Sequence, residues 1–172
     1  MSPRLRKSLL TAHLAISVSW VGAVAAYVIL DVNAATSHDP QVLRAVWISM
    51  GLIVWWAIVP LAVASLSTGL VMSMGTRWGL FQHWWVLISF LLTVAATFVL
   101  LVETAVISRG AAMAAEPATS IDALRALGST LPHSVGGLLV LLVILVLNVY
   151  KPPGLTAYGR RKRDAADALL KP

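Results

Sequence analysis

Few side chains in this chain could do chemistry. It has four histidines and no cysteine, so thiolate nucleophiles, zinc–thiolate sites, iron–sulfur clusters and disulfides are excluded together. His13 and His83 each stand six residues after a cation, Lys7 and Arg77, at the head of a long apolar run. At 1.5 Å per helical residue both rings lie about 9 Å beyond that cation. Two runs crossing in the same direction would bring the two imidazoles to one depth. Paired imidazoles are a ligand set for haem iron, and helical bundles hold such cofactors with ligands from facing helices. The ring nitrogens would stand about 4 Å apart across the iron, from bonds of about 2 Å. Met72 and Met74 end the intervening run near the same depth. Thioether with imidazole suits copper(I) or haem iron, and filling irregular gaps is the plainer use of methionine.

A second group shares a helix with His13. Ser17, Trp20, Tyr27 and Asp31 follow it at offsets of 4, 7, 14 and 18 residues. At 100° per residue the five fall within about 80° of arc, a polar and aromatic stripe about 27 Å long. Ser17 and Trp20 are candidates to line a cofactor. His83, Phe90, Thr97 and Thr104 recur every seven residues, the period of a left-handed bundle seam, which adds Phe90 to that lining. Glu103 lies about 200° away from His83, on the opposite face. His133 follows Pro132 at the head of the last run. It either caps that helix or serves as a ligand or proton donor at the opposite depth. In the second case Tyr27 and Asp31 are its neighbours in a proton or quinone site. His38 lies in a polar connection and is expected in water.

The elements that must position these residues cross a membrane. Of 172 residues 59% are hydrophobic and 12% charged, against about 25% charged in soluble domains. A bilayer needs about 20 apolar residues per helix. Four stretches qualify, at about 8–31, 45–74, 83–107 and 131–150, and the second has no titratable residue. The fold class expected is all-α. It is a four-helix transmembrane bundle, up-down-up-down, forming a single integral membrane domain over 1–172. Pro60 is expected to kink the second helix and can open a cavity there. Trp47, Trp78, Trp84 and Trp85 fall where tryptophan marks membrane interfaces. Trp20, Trp55 and Trp56 lie deeper, packing a core or lining a ring-shaped ligand.

Charge sets the expected orientation. Arg4, Arg6, Lys7, Arg77, Lys151, Arg160, Arg161, Lys162, Arg163 and Lys171 fall on one side, ten of the thirteen cations. Five of the seven acids fall on the other side, in or beside the connections 32–44 and 108–130. The positive-inside rule then places both termini in the cytoplasm of a bacterium, with 151–172 as a basic tail on the plasma membrane. The basic start, the apolar run and Ala23-Val24-Ala25-Ala26 resemble a signal peptide, but the run is long enough to be an uncleaved first helix. Ser120 marks the N-cap of one short helix over 121–127. A net charge of +6 clustered beside apolar runs speaks for lipid headgroups as the partner, not nucleic acid.

Three segments carry a family resemblance. They are Leu10-Thr11-Ala12-His13 with Ser19-Trp20-Val21-Gly22-Ala23-Val24, then Gly69-Leu70-Val71 through Gly75-Thr76-Arg77-Trp78-Gly79-Leu80-Phe81-Gln82-His83-Trp84-Trp85, and Val149-Tyr150-Lys151-Pro152-Pro153-Gly154-Leu155-Thr156-Ala157-Tyr158-Gly159. The chain resembles uncharacterised four-span membrane proteins common in actinobacteria, a likeness that implies the fold and no activity. It is remotely similar to copper-resistance-D-type proteins and to b-type four-helix cytochromes, which implies haem or copper. It lacks the four paired histidines of a two-haem cytochrome. The expected function is a redox protein holding one haem b between His13 and His83 and exchanging electrons with a quinol or a membrane partner. The competing expectations are a small subunit of a larger membrane complex or homo-oligomer, and a copper or other metal transporter or sensor.

Overall fold

In the computed structural model residues 2–75 and 79–169 are described. Arg77, Trp78 and Lys171, assigned above from charge and interfacial position, lie outside the described residues. Among the described residues five α-helices and one helix interrupted once account for the fold: α1 (Pro3–Thr36), α2 (Pro40–Ile53) continued through a π-helical turn (Val54–Ile58) into α3 (Val59–Gly75), α4 (Trp84–Ala115), α5 (Ile121–Arg125), α6 (Leu131–Tyr150) and α7 (Ala157–Leu169). Among the described residues there is no strand, only one isolated bridge between His83 and Leu155. Four helices are long and apolar enough to cross a membrane: Pro3–Thr36, Pro40–Gly75, Trp84–Ala115 and Leu131–Tyr150.

The first three spans are longer than the apolar runs, because helices end at caps and not where hydrophobicity stops. Ser2 accepts from the Leu5 amide ahead of Pro3, and Asp39 accepts from the Gln41 and Val42 amides ahead of Pro40. The connection expected over 32–44 therefore shrinks to Ser37–Asp39. α4 runs on to Ala115, two residues before Pro117. Ser120 accepts from the Ala123 amide, as the N-cap reading required, and the short helix ends at Arg125. His83 is the one boundary residue whose reading changes. It lies outside α4 in an extended conformation, φ −121° and ψ 135°. The tail is also more ordered than a bare basic segment, since α7 occupies most of it.

The four spans form a closed ring of neighbours. α1 packs on α2, α3 and α6, and α4 packs on the same three. α1 and α4 thus stand across a diagonal. Close approach of α2 to α4 depends on glycine: a Cβ at Gly51 would lie 2.7 Å from the Ala111 Cβ, and one at Gly110 would collide with the Trp47 ring. Trp47, assigned above to an interface, is 3% exposed in this contact. Trp55 and Trp56, expected deep, are 50% and 82% exposed and face outward with most of the large apolar side chains. The π turn sits just ahead of Pro60, which has no amide proton, and the Val59 amide reaches back to the Val54 carbonyl.

The segment after α6 folds back onto the start of α4. The Trp84 amide donates to the Gly154 carbonyl at 3.3 Å and the Thr156 amide to the Gln82 carbonyl at 3.0 Å. The Thr156 hydroxyl donates to the Phe81 carbonyl and accepts from the Gly159 amide. A Cβ at Gly159 would strike the Gln82 carbonyl, so only glycine lets α7 begin so close.

Candidate functional site

The α1 stripe faces inward along its whole length. Trp20, Tyr27 and Asp31 are buried, and His13 and Ser17 are half-buried. Its two halves meet different partners. His13 Nδ1 lies 2.9 Å from the Thr68 hydroxyl, and Ser17 and Ser65 share a hydrogen bond of 2.9 Å. Gly69 lets the His13 ring lie against α3, where a Cβ would stand 3.2 Å from Cε1. The small residues of α3 are thus taken up in seating α1.

Asp31 meets the beginning of α6. The residue is 1% exposed. The Thr130 hydroxyl donates to Oδ1 at 2.9 Å and the Ser134 hydroxyl to Oδ2 at 2.6 Å. A buried anion beside the first turn of a helix is also favoured by the helix dipole. The Tyr27 and Thr130 hydroxyls are 3.3 Å apart. Thr130 has one proton and gives it to Asp31, so in this pair Tyr27 is the donor. The Tyr27 oxygen keeps lone pairs for another partner.

A cavity of about 320 Å³ opens beside these groups, between α1, the π turn, α4 and α6. Its walls are apolar except at a few points. Val54, Ile58, Leu100, Ile107 and Leu141 form the apolar side, and Ala95, Ala96, Gly136 and Gly137 make the room. Trp20, Tyr27, Thr130, Glu103 and His133 supply the polar atoms. The Trp20 indole N–H is buried and has no hydrogen-bond partner. Such an orphan costs about 1–3 kcal/mol, and it belongs to a residue that lines the cavity. His133 Nδ1 lies 3.6 Å from Glu103 Oε1; the His133 side chain is 55% exposed and that of Glu103 19%. A second, more polar cavity of about 510 Å³ lies past Asp31, with His38 and Arg125 in its wall.

The structure sorts the residues picked from the sequence into two groups. Trp20, Tyr27, Asp31 and His133 gather around the two cavities. His13 faces α3, and His83 pairs its main chain with Leu155 at the head of α4, the diagonal helix, so the two histidines belong to helices that are not among each other's main packing partners. Phe90 and Met72 are half-buried and Met74 is 74% exposed. Among the described residues no three His, Asp or Glu side chains cluster as a metal site would require. Glu103, Thr130 and Ser134 carry the site and were not singled out for it. Glu103 was measured against His83 alone, whereas α4 has two packed faces.

A ring of four apolar spans enclosing an apolar cavity with a few inward polar groups defines a helical membrane protein. The chain matches, over residues 7–152, the family described as predicted integral membrane protein DUF2269, and it belongs to that family. No curated protein and no solved structure matches it.

Proposed function

We propose that this protein binds an apolar, ring-bearing ligand of the quinone–quinol class in the cavity between α1, the π turn, α4 and α6. The observation that carries the reading is Trp20, which lines that cavity and whose buried indole N–H has no hydrogen-bond partner. In the quinone form a ring carbonyl accepts from Trp20; in the quinol form a ring hydroxyl donates to the free lone pair of Tyr27. Both cavity volumes fall in the range of small-molecule sites, and the apolar one suits a lipid-soluble guest arriving from the bilayer. Electrons, where they move, are exchanged with a membrane partner.

The same proposal includes orientation. Hydrogen-bond partners descend along α3 as they ascend along α1, from His13–Thr68 to Ser17–Ser65, which supports spans alternating up and down. The cations gathered at the chain termini support a bacterial plasma membrane with both termini cytoplasmic. Asp31 and the cavity then lie toward the outer face.

The test is titration of the nanodisc-reconstituted protein with decylubiquinone, read by tryptophan fluorescence. Saturable quenching is expected. Trp20→Phe should weaken binding about tenfold or more, the loss of one buried hydrogen bond. Absence of saturable binding to the unaltered protein sinks the ligand reading and favours a small subunit of a larger membrane complex.

A haem b at His13 and His83 is the second reading, and one observation favours it. With Nδ1 held by Thr68, His13 keeps Nε2 for a metal, the usual arrangement of metal-bound histidine. Bound haem would supply one-electron chemistry near the cytoplasmic face. His83 does not fit as readily, being attached to the diagonal helix. A reduced-minus-oxidised absorption spectrum that is lost in both His13→Ala and His83→Ala would establish it. Colourless protein carrying copper that depends on Met72 and Met74 would point to metal handling instead.

A further inference from the structure

The geometry points to a proton path through Tyr27, Thr130 and Asp31, linking the ligand cavity to the polar vestibule at the far end of the bundle. This rests on the ligand site proposed above.

Three facts support it. First, the hydrogen bonds have one direction: Tyr27 donates to Thr130, and Thr130 donates to Asp31. Second, the chain of groups is open at both ends. Tyr27 and Thr130 belong to the wall of the apolar cavity, and Asp31 belongs to the wall of the vestibule. A carboxylate that only fastened α6 to α1 would need neither opening. Third, the vestibule is polar. His38 and Arg125 face it with Asp31, while α2 contributes only Leu43 and Trp47. On the other sides Asp31 meets the Thr130 and Ser134 hydroxyls of the α6 start, and Glu103 and His133 lie on the cavity side, beyond Tyr27.

The step balances without electron transfer. A ligand O–H breaks as its proton joins the Tyr27 oxygen. The Tyr27 proton moves to Thr130 and the Thr130 proton to Asp31 Oδ1. The ligand is left as an oxyanion and Asp31 as a neutral acid. Loss of that proton to vestibule water restores the carboxylate, and rotation of the two hydroxyls resets the chain. Run backward, the same path delivers a proton to a bound oxyanion. Ser134, bonded to the other carboxylate oxygen, holds Asp31 in place throughout.

The test uses the whole protein in nanodiscs, with infrared difference spectra recorded as the pH of the medium is changed. The expected result is a carboxylic-acid band that moves together with a tyrosine ring band. Asp31→Asn should remove the carboxyl band and Tyr27→Phe the tyrosine band. Thr130→Val should keep the carboxyl band and drop the tyrosine response to background, and Thr130→Ser, which keeps the hydroxyl, should restore it. A tyrosine response undiminished in Thr130→Val, or a carboxyl band unchanged in Asp31→Asn, overturns the path. Decylubiquinone binding is measured on the same samples. Quenching retained in Thr130→Val with its tyrosine response lost supports a path separate from ligand affinity. A wild type that shows coupled bands but binds no quinone would remove the ligand reading and leave the coupled chain standing.

Discussion

At the end of the bundle near His83, polar groups are used to join segments. Main-chain bonds tie 152–156 to the loop before α4, Thr156 ties α7 to both, and His13 and Ser17 are matched one to one with Thr68 and Ser65. At the end near Asp31 the polar groups are in excess of what joining requires. Asp31 is satisfied twice, Tyr27 has spare lone pairs, and two cavities flank them. Spare hydrogen-bonding capacity beside an apolar cavity marks this second end as the place for a guest.

The contrast can be broken by substitution. Asp31→Ala is expected to have the largest effect. It leaves the Thr130 hydroxyl without its acceptor, at about 1–3 kcal/mol, leaves Ser134 only the Leu131 carbonyl, and unfastens α6 from α1. Thermal unfolding in detergent should show a clear drop in midpoint. Gly110→Val drives a side chain into the Trp47 ring and should cost about 1–3 kcal/mol by overpacking, read by the same melt. Ser65→Ala at the other end removes one interhelical bond and should cost only about 0.6 kcal/mol, because such bonds inside membranes are individually weak. His133→Gln should be smallest, about 0.5 kcal/mol or less and fading with salt, since the pair is partly exposed. An Asp31→Ala effect no larger than that of Ser65→Ala would erase the difference between the ends.

The four spans and the inward face of α1 were legible in the sequence, because both depend on apolar length and on 100° arithmetic that the fold obeys. What failed were inferences about facing. Trp55 and Trp56 point outward and Trp47 points in, because position along a span says nothing about azimuth. His83 continued a seven-residue spacing to Phe90, yet the helix starts one residue later at Trp84. Glu103 was set aside as off the seam, yet a helix in a ring has two neighbours and its face toward α6 is also interior. The cavity is lined by Gly136 and Gly137 from α6 and by Ala95 and Ala96 from α4, a coincidence no single segment displays.

The π turn at Val54–Ile58 acts as a phase shifter within one span. Its wider winding takes up an extra residue, so the helix leaves the turn rotated relative to the way it entered. Before the turn the span presents Trp47 and Gly51 to α4; after it, Ser65, Thr68 and Gly69 to α1. One membrane crossing thereby serves two partners on different sides. Were the same residues wound as ordinary α-helix, the α3 contacts would swing by about 100°. The chain would stay just as hydrophobic and lose the pairing of His13 with Thr68.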